Sequence, residues 1–66
     1  MTLYQFLSVA QPDQFFEVYI GGRFAEAGNM FELQEEFNLD RYEVVEFEAD
    51  DDGTIVITVY PINGEE

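Results

Sequence analysis

Histidine, cysteine and lysine are all missing from this chain of 66 residues, and each absence removes a class of chemistry. Without cysteine no disulfide can staple the fold, and without cysteine and histidine the usual zinc sites are excluded. The remaining acids and bases are carboxylates and four tyrosines. The hydroxyl nucleophiles are Thr2, Ser8, Thr54 and Thr58, and none sits beside a base in a readable motif. Paired carboxylates can cleave glycosides, but that reaction needs a substrate cleft, for which a chain this short leaves little room. The expectation is a protein that binds rather than catalyses, with no cofactor and no metal. Long apolar runs are absent too: none approaches the roughly 18 residues that cross a bilayer. Nor does the N-terminus show the basic region and long apolar stretch of a signal peptide. The expected location is the cytoplasm.

Acidic and aromatic residues are what the chain has instead. Fifteen Asp and Glu face two arginines, Arg23 and Arg41, for a net charge of −13. Self-repulsion on this scale opposes compaction. It argues against direct binding to nucleic acid or to an anionic membrane, and it favours a basic partner surface. Seven Phe and four Tyr supply large buried areas to a small core, and 47% of residues are hydrophobic. That content separates the chain from disordered acidic segments.

Hydrophobic spacing organises the chain into two helix-plus-hairpin units. Thr2 and Gln5 form a capping-box pattern that opens a helix over residues 3–9, with Leu3, Phe6 and Leu7 on one face. Pro12 stops it. Residues 15–20 alternate as a strand, with Phe16, Val18 and Ile20 on one face and Phe15, Glu17 and Tyr19 on the other. Gly21-Gly22 supplies a two-residue turn into a short strand over residues 23–27. Asn29 and Glu32 form a second capping box, opening a helix that buries Met30, Leu33 and Phe37 and fades near Asn38. Residues 42–50 alternate again, placing Val45, Phe47 and Ala49 inward and Val44, Glu46, Glu48 and Asp50 outward. After Asp51-Asp52-Gly53, residues 54–60 return with Ile55, Ile57 and Val59 inward and Thr54, Val56, Thr58 and Tyr60 outward. The expected fold is α+β in the order αββαββ. It has a four-stranded, mainly antiparallel sheet with both helices on one face. The two most apolar strands, 15–20 and 54–60, take the central positions. One domain spans residues 1–62, followed by a short tail at 63–66.

Two glycine-containing motifs have plain explanations. Asp50-Asp51-Asp52-Gly53 is rich in calcium-type ligands, but its spacing does not match a helix–loop–helix site and no Glu completes the shell. It reads as an Asp-Gly hairpin turn. Gly21-Gly22 lacks the third glycine, the lysine and the following helix of a phosphate loop, so it too reads as a turn.

The acidic outer face carries the functional reading. Glu46, Glu48 and Asp50, at i, i+2 and i+4, project from one side of an extended strand at intervals of about 6.5–7 Å. Glu17 points outward from its own strand, with Tyr19 and Tyr60 nearby. Glu32, Glu35 and Glu36 form a second acidic group on the second helix. A regular row of carboxylates beside aromatic rings resembles the repeating anions and bases of a nucleic-acid strand. The plainer reading of the same residues is a solvated face, kept acidic for solubility and edge protection.

The opening Met1-Thr2-Leu3-Tyr4-Gln5-Phe6-Leu7, the central strand-Gly-Gly-strand unit and the segment Asp51-Asp52-Gly53-Thr54-Ile55-Val56-Ile57 give the whole chain a resemblance to a known group. It resembles the short acidic proteins of bacteriophages and prophages, particularly those of low-GC Gram-positive bacteria. The resemblance implies counter-defence: small acidic inhibitors, including anti-CRISPR and anti-restriction proteins that mimic DNA. The expected function is therefore an inhibitory binding protein, with a nucleic-acid mimic occupying the basic groove of a nuclease or other nucleic-acid-binding protein. Glu17, Glu46, Glu48 and Asp50 stand in for phosphates, and Tyr19 and Tyr60 act as anchors. The alternative is a small adaptor or homodimer associating through Phe15, Tyr19, Val56 and Tyr60.

Overall fold

Two capping boxes decide where the helices begin. The Thr2 hydroxyl accepts from the Gln5 N–H at 3.1 Å, and the Gln5 carboxamide oxygen accepts from the Thr2 N–H at 2.9 Å. This opens α1, Leu3–Ser8. Asn29 and Glu32 repeat the exchange at 3.0 and 2.8 Å and open α2, Met30–Glu36. Helices this short do not persist alone in water, so caps and burial of Leu3, Leu7 and Leu33 hold them. The computed structural model describes residues 1–62; the tail expected at 63–66 lies outside the described residues.

Four strands complete the α+β fold: β1 Phe16–Ile20, β2 Arg23–Gly28, β3 Tyr42–Ala49 and β4 Ile55–Pro61. They form one sheet in the order β2-β1-β4-β3, which puts the two most apolar strands in the centre. Between α2 and β3 lies a single 3-10 turn, Leu39–Arg41, absent from the sequence expectation. Its Leu39 is buried in the core.

The sheet is mixed rather than mainly antiparallel. Both hairpin pairs, β1–β2 and β3–β4, are antiparallel, but the central β1–β4 pair is parallel. The connection explains this. The chain leaves β2, passes through α2 and returns along β3 in the same direction, as helical crossovers do. Once β2 and β3 run alike, their hairpin partners β1 and β4 must also run alike. Phe16, Val18, Ile57 and Val59 alternate onto one face of the central pair and join Leu3, Leu7, Leu33 and Leu39 in one buried cluster. Both helices thus contribute to a single layer over one face of the sheet.

A β-bulge corrects the expected alternation in β3. The register passes from Val44↔Val59 to Glu46↔Thr58, leaving Val45 as the extra residue. Val44, expected outward, therefore packs against the core, while Val45, expected inward, is 52% exposed. Phe47 and Ala49 keep the inward phase, opposite Ile57 and Ile55. Phe47 is nonetheless exposed near the sheet edge, where its ring meets Phe6 at 4.8 Å. Thr54, also expected outward, is buried just before β4 begins. A second irregularity sits in β2, where Tyr19 pairs with Phe24 and Val18 with Glu26, so Ala25 is the extra residue.

Two substitutions test these local arguments by thermal unfolding. Gly28 has a φ of +152°, and a β-carbon there would stand 2.6 Å from the Glu32 carboxylate that closes the second capping box. Gly28→Ala is expected to destabilise the fold by about 1–2 kcal/mol through backbone strain and loss of the cap. Val44→Ala should cost about 1–2 kcal/mol, whereas Val45→Ala should cost less than about 0.5 kcal/mol. Strict alternation without the bulge gives the reverse ranking.

Candidate partner-binding face

The helices cover one side of the sheet, and strand register fixes what the other side displays. Paired residues in neighbouring strands point to the same face, so the outward set can be followed across the sheet. One row runs Ala27, Glu17, Val56, Glu48. The next runs Phe24, Tyr19, Thr58, Glu46. Beyond it Tyr60 stands opposite Glu43. Val56 and Thr58 line a depression together with Glu46, Phe47 and Glu48. Carboxylates thus gather along β3, and aromatic rings gather toward β1 and β2.

Five of the six sequence-nominated residues meet on this face: Glu17, Tyr19, Glu46, Glu48 and Tyr60. Asp50 lies one residue beyond the strand, in the β3–β4 turn. Its N–H donates to the Thr54 carbonyl at 2.7 Å, and its carbonyl accepts from the Gly53 N–H at 3.1 Å. The α2 carboxylates are a separate group. Glu32 is engaged in its capping box, while Glu35 and Glu36 are exposed on the helix.

Two residues of the face escaped the sequence reading. Glu43 would fall inward if β3 alternated without interruption, and the bulge at Val45 moves it to the outer row. Phe24, on a weakly patterned strand, is 57% exposed, and its ring meets Tyr19 edge-on at 5.6 Å. Alternation from its partner Tyr19 could have found Phe24; nothing in the one-dimensional pattern announces the bulge.

Counter-charges are scarce around these carboxylates. Among the described residues, the one ion pair joins the Met1 ammonium to Glu43 at 2.8 Å. The same segment follows the β3 edge, where the Val44 N–H donates to the Met1 carbonyl at 2.9 Å and Thr2 bridges to Glu43. Arg23 pairs with Ile20 in the β1–β2 ladder, on the helix side of the sheet, and Arg41 ends the 3-10 turn. Glu17, Glu46 and Glu48 therefore have no cationic partner within the described chain. Comparison with protein-family models, curated proteins and solved structures returns no match for this chain.

The acidic turn is organised by its own backbone. The Thr54 N–H donates to the Asp52 carboxylate at 3.0 Å, and Gly53 adopts a φ of +91°. That backbone hydrogen bond, then a second from the Thr54 side chain, holds the Asp52 carboxyl below its ordinary value of 3.8. The depressed folded value stabilises the turn fully above the unfolded value, and this contribution is lost as pH falls through the folded value. A carboxyl-carbon NMR titration should therefore give Asp52 a midpoint below 3.8. Replacing Thr54 with proline, which removes the donor, should raise that midpoint.

Proposed function

We propose that this chain is an inhibitory binding protein that imitates a nucleic-acid strand and occupies the basic groove of a nuclease or another nucleic-acid-binding protein. One observation carries the reading: Glu17, Glu46 and Glu48 share the sheet face opposite the helices with Tyr19 and Tyr60 and have no counter-charge among the described residues. Regularly placed anions beside aromatic surface are what such a groove is built to receive. A net charge of −13 adds long-range attraction toward a basic partner and repulsion from nucleic acid itself. Asp50 extends the acidic row at its turn end. The setting proposed is the cytoplasm of a bacterial host, with the protein acting in phage counter-defence and without catalysis.

A second reading is favoured by the exposed rings of Phe24 and Tyr60, which suit an adaptor or a homodimer contact. Two copies meeting through this face would bring like-charged rows together, a cost that salt would relieve. Light scattering separates the two readings, because dimerisation through the rings should survive or strengthen at high salt.

The direct test is capture of the partner from a bacterial lysate on the immobilised full chain, elution with a salt gradient and identification by mass spectrometry. The captured protein should be one that binds nucleic acid and should elute as salt rises. The double charge reversal Glu46→Lys, Glu48→Lys should weaken its binding by at least about tenfold and flatten the salt dependence. Binding that ignores both salt and charge reversal would overturn the proposal.

A further inference from the structure

The placement of rings among the carboxylates leads us to infer that this face selects arginine over lysine, so that its partner engages it through guanidinium groups. This deepens the proposed function and rests on it. Tyr19 and Glu46 flank Thr58 from opposite sides, and Tyr60 lies on the same face one outward position further along β4. Glu17 is two residues before Tyr19 on the same strand, at a separation of about 6.5–7 Å. A cation held over the Val56–Thr58 depression thus has carboxylates of β3 on one side and the Tyr19 ring with Glu17 on the other.

Both cation types gain from the carboxylates, but they differ in what they do with the rings. Guanidinium is planar, gives up its hydration readily and can stack on an aromatic face while its edge donates two parallel hydrogen bonds to a carboxylate. The lysine ammonium is a compact, strongly hydrated charge that gains less from a neighbouring ring. A face carrying carboxylates alone would distinguish the two weakly. Here Tyr19 and Phe24 lie across Thr58 from Glu46, Tyr60 stands opposite Glu43, and the Phe24 ring meets Tyr19 edge-on from the β2 side. The depression lined by Glu46, Phe47, Glu48, Val56 and Thr58 lies beside these rings, since Thr58 is the ladder partner of Tyr19. By contrast, Glu35 and Glu36 on α2 serve as an internal comparison outside this arrangement.

Hexa-arginine and hexa-lysine peptides, titrated separately into the full nitrogen-15-labelled chain and followed by amide NMR, test the inference. Hexa-arginine should bind at least about fivefold more tightly, with the largest shifts at Glu17, Tyr19, Glu46, Thr58 and Tyr60. Tyr60→Leu and Tyr19→Leu should each lower hexa-arginine affinity by a larger factor than hexa-lysine affinity, bringing the two toward equality. Tyr60 is 47% exposed, and spectral dispersion reports whether each variant folds, so Tyr60→Leu alone suffices if the other does not. Equal affinities with shifts on this face would overturn arginine selectivity and leave the basic-groove proposal standing. Shifts confined to α2 and the acidic turn would overturn both.

Discussion

Coverage is the constraint on which this small fold depends. A four-stranded sheet has two faces, and the described residues provide two short helices and one 3-10 turn to lie against them. All of their buried residues, Leu3, Leu7, Leu33 and Leu39, enter the same cluster with Phe16, Val18, Ile57 and Val59. The layer closes because β1 and β4, the most apolar strands, are neighbours. Separating them would divide the core between two places, each too small to offset the entropy of ordering the chain. The opposite face is left to be wetted or bound.

That division explains how fifteen acidic groups against two arginines are accommodated. Among the described residues most carboxylates occupy the outer sheet face, the exposed side of α2 and the β3–β4 turn, with Asp13 and Asp40 exposed in the loop after α1 and in the 3-10 turn, where water screens their mutual repulsion. Glu26 is the partial exception, pairing with Val18 on the helix side at the β2 edge, where it stays half-exposed to solvent. On the outer face the acids lie in order rather than at random, since a strand spaces alternate residues evenly and pairing aligns neighbouring strands. The aromatic residues among them would serve a purely solvated surface poorly. Their presence is the feature on which the proposed binding role of this face rests.

Much of this was legible in the sequence, and the reasons for the rest are specific. Both capping boxes could be read because each is a local exchange between residues three apart. The inward sets of β1 and β4 could be read because unbroken alternation records which face is buried. The bulge at Val45 could not, because a one-residue insertion leaves the hydrophobic pattern Val44-Val45 ambiguous and only the partner strand settles the phase. It moved Val44 inward and brought Glu43 onto the face. Asp50 fell outside the ladder because the turn closes one residue earlier than alternation suggested. The parallel central pair is a long-range property. It follows from the direction imposed by the α2 crossover, which no single segment encodes.

That parallel pair also bears on how the chain reaches its folded state. Each hairpin can zip locally within microseconds, since its strands are joined by a short turn. Yet Phe16 pairs with Ile55 and Val18 with Ile57, residues drawn from opposite ends of the chain. A large loop must close before these contacts contribute anything, and its entropy is lost in advance. Contacts between the halves are not confined to the β1–β4 pairing, since the Met1–Thr2 segment also bonds to β3 and both halves share one core cluster, so most of the long-range contacts must form together. Until β1 and β4 pair, each exposes an unpaired inner edge, and an unpaired strand edge can join another chain.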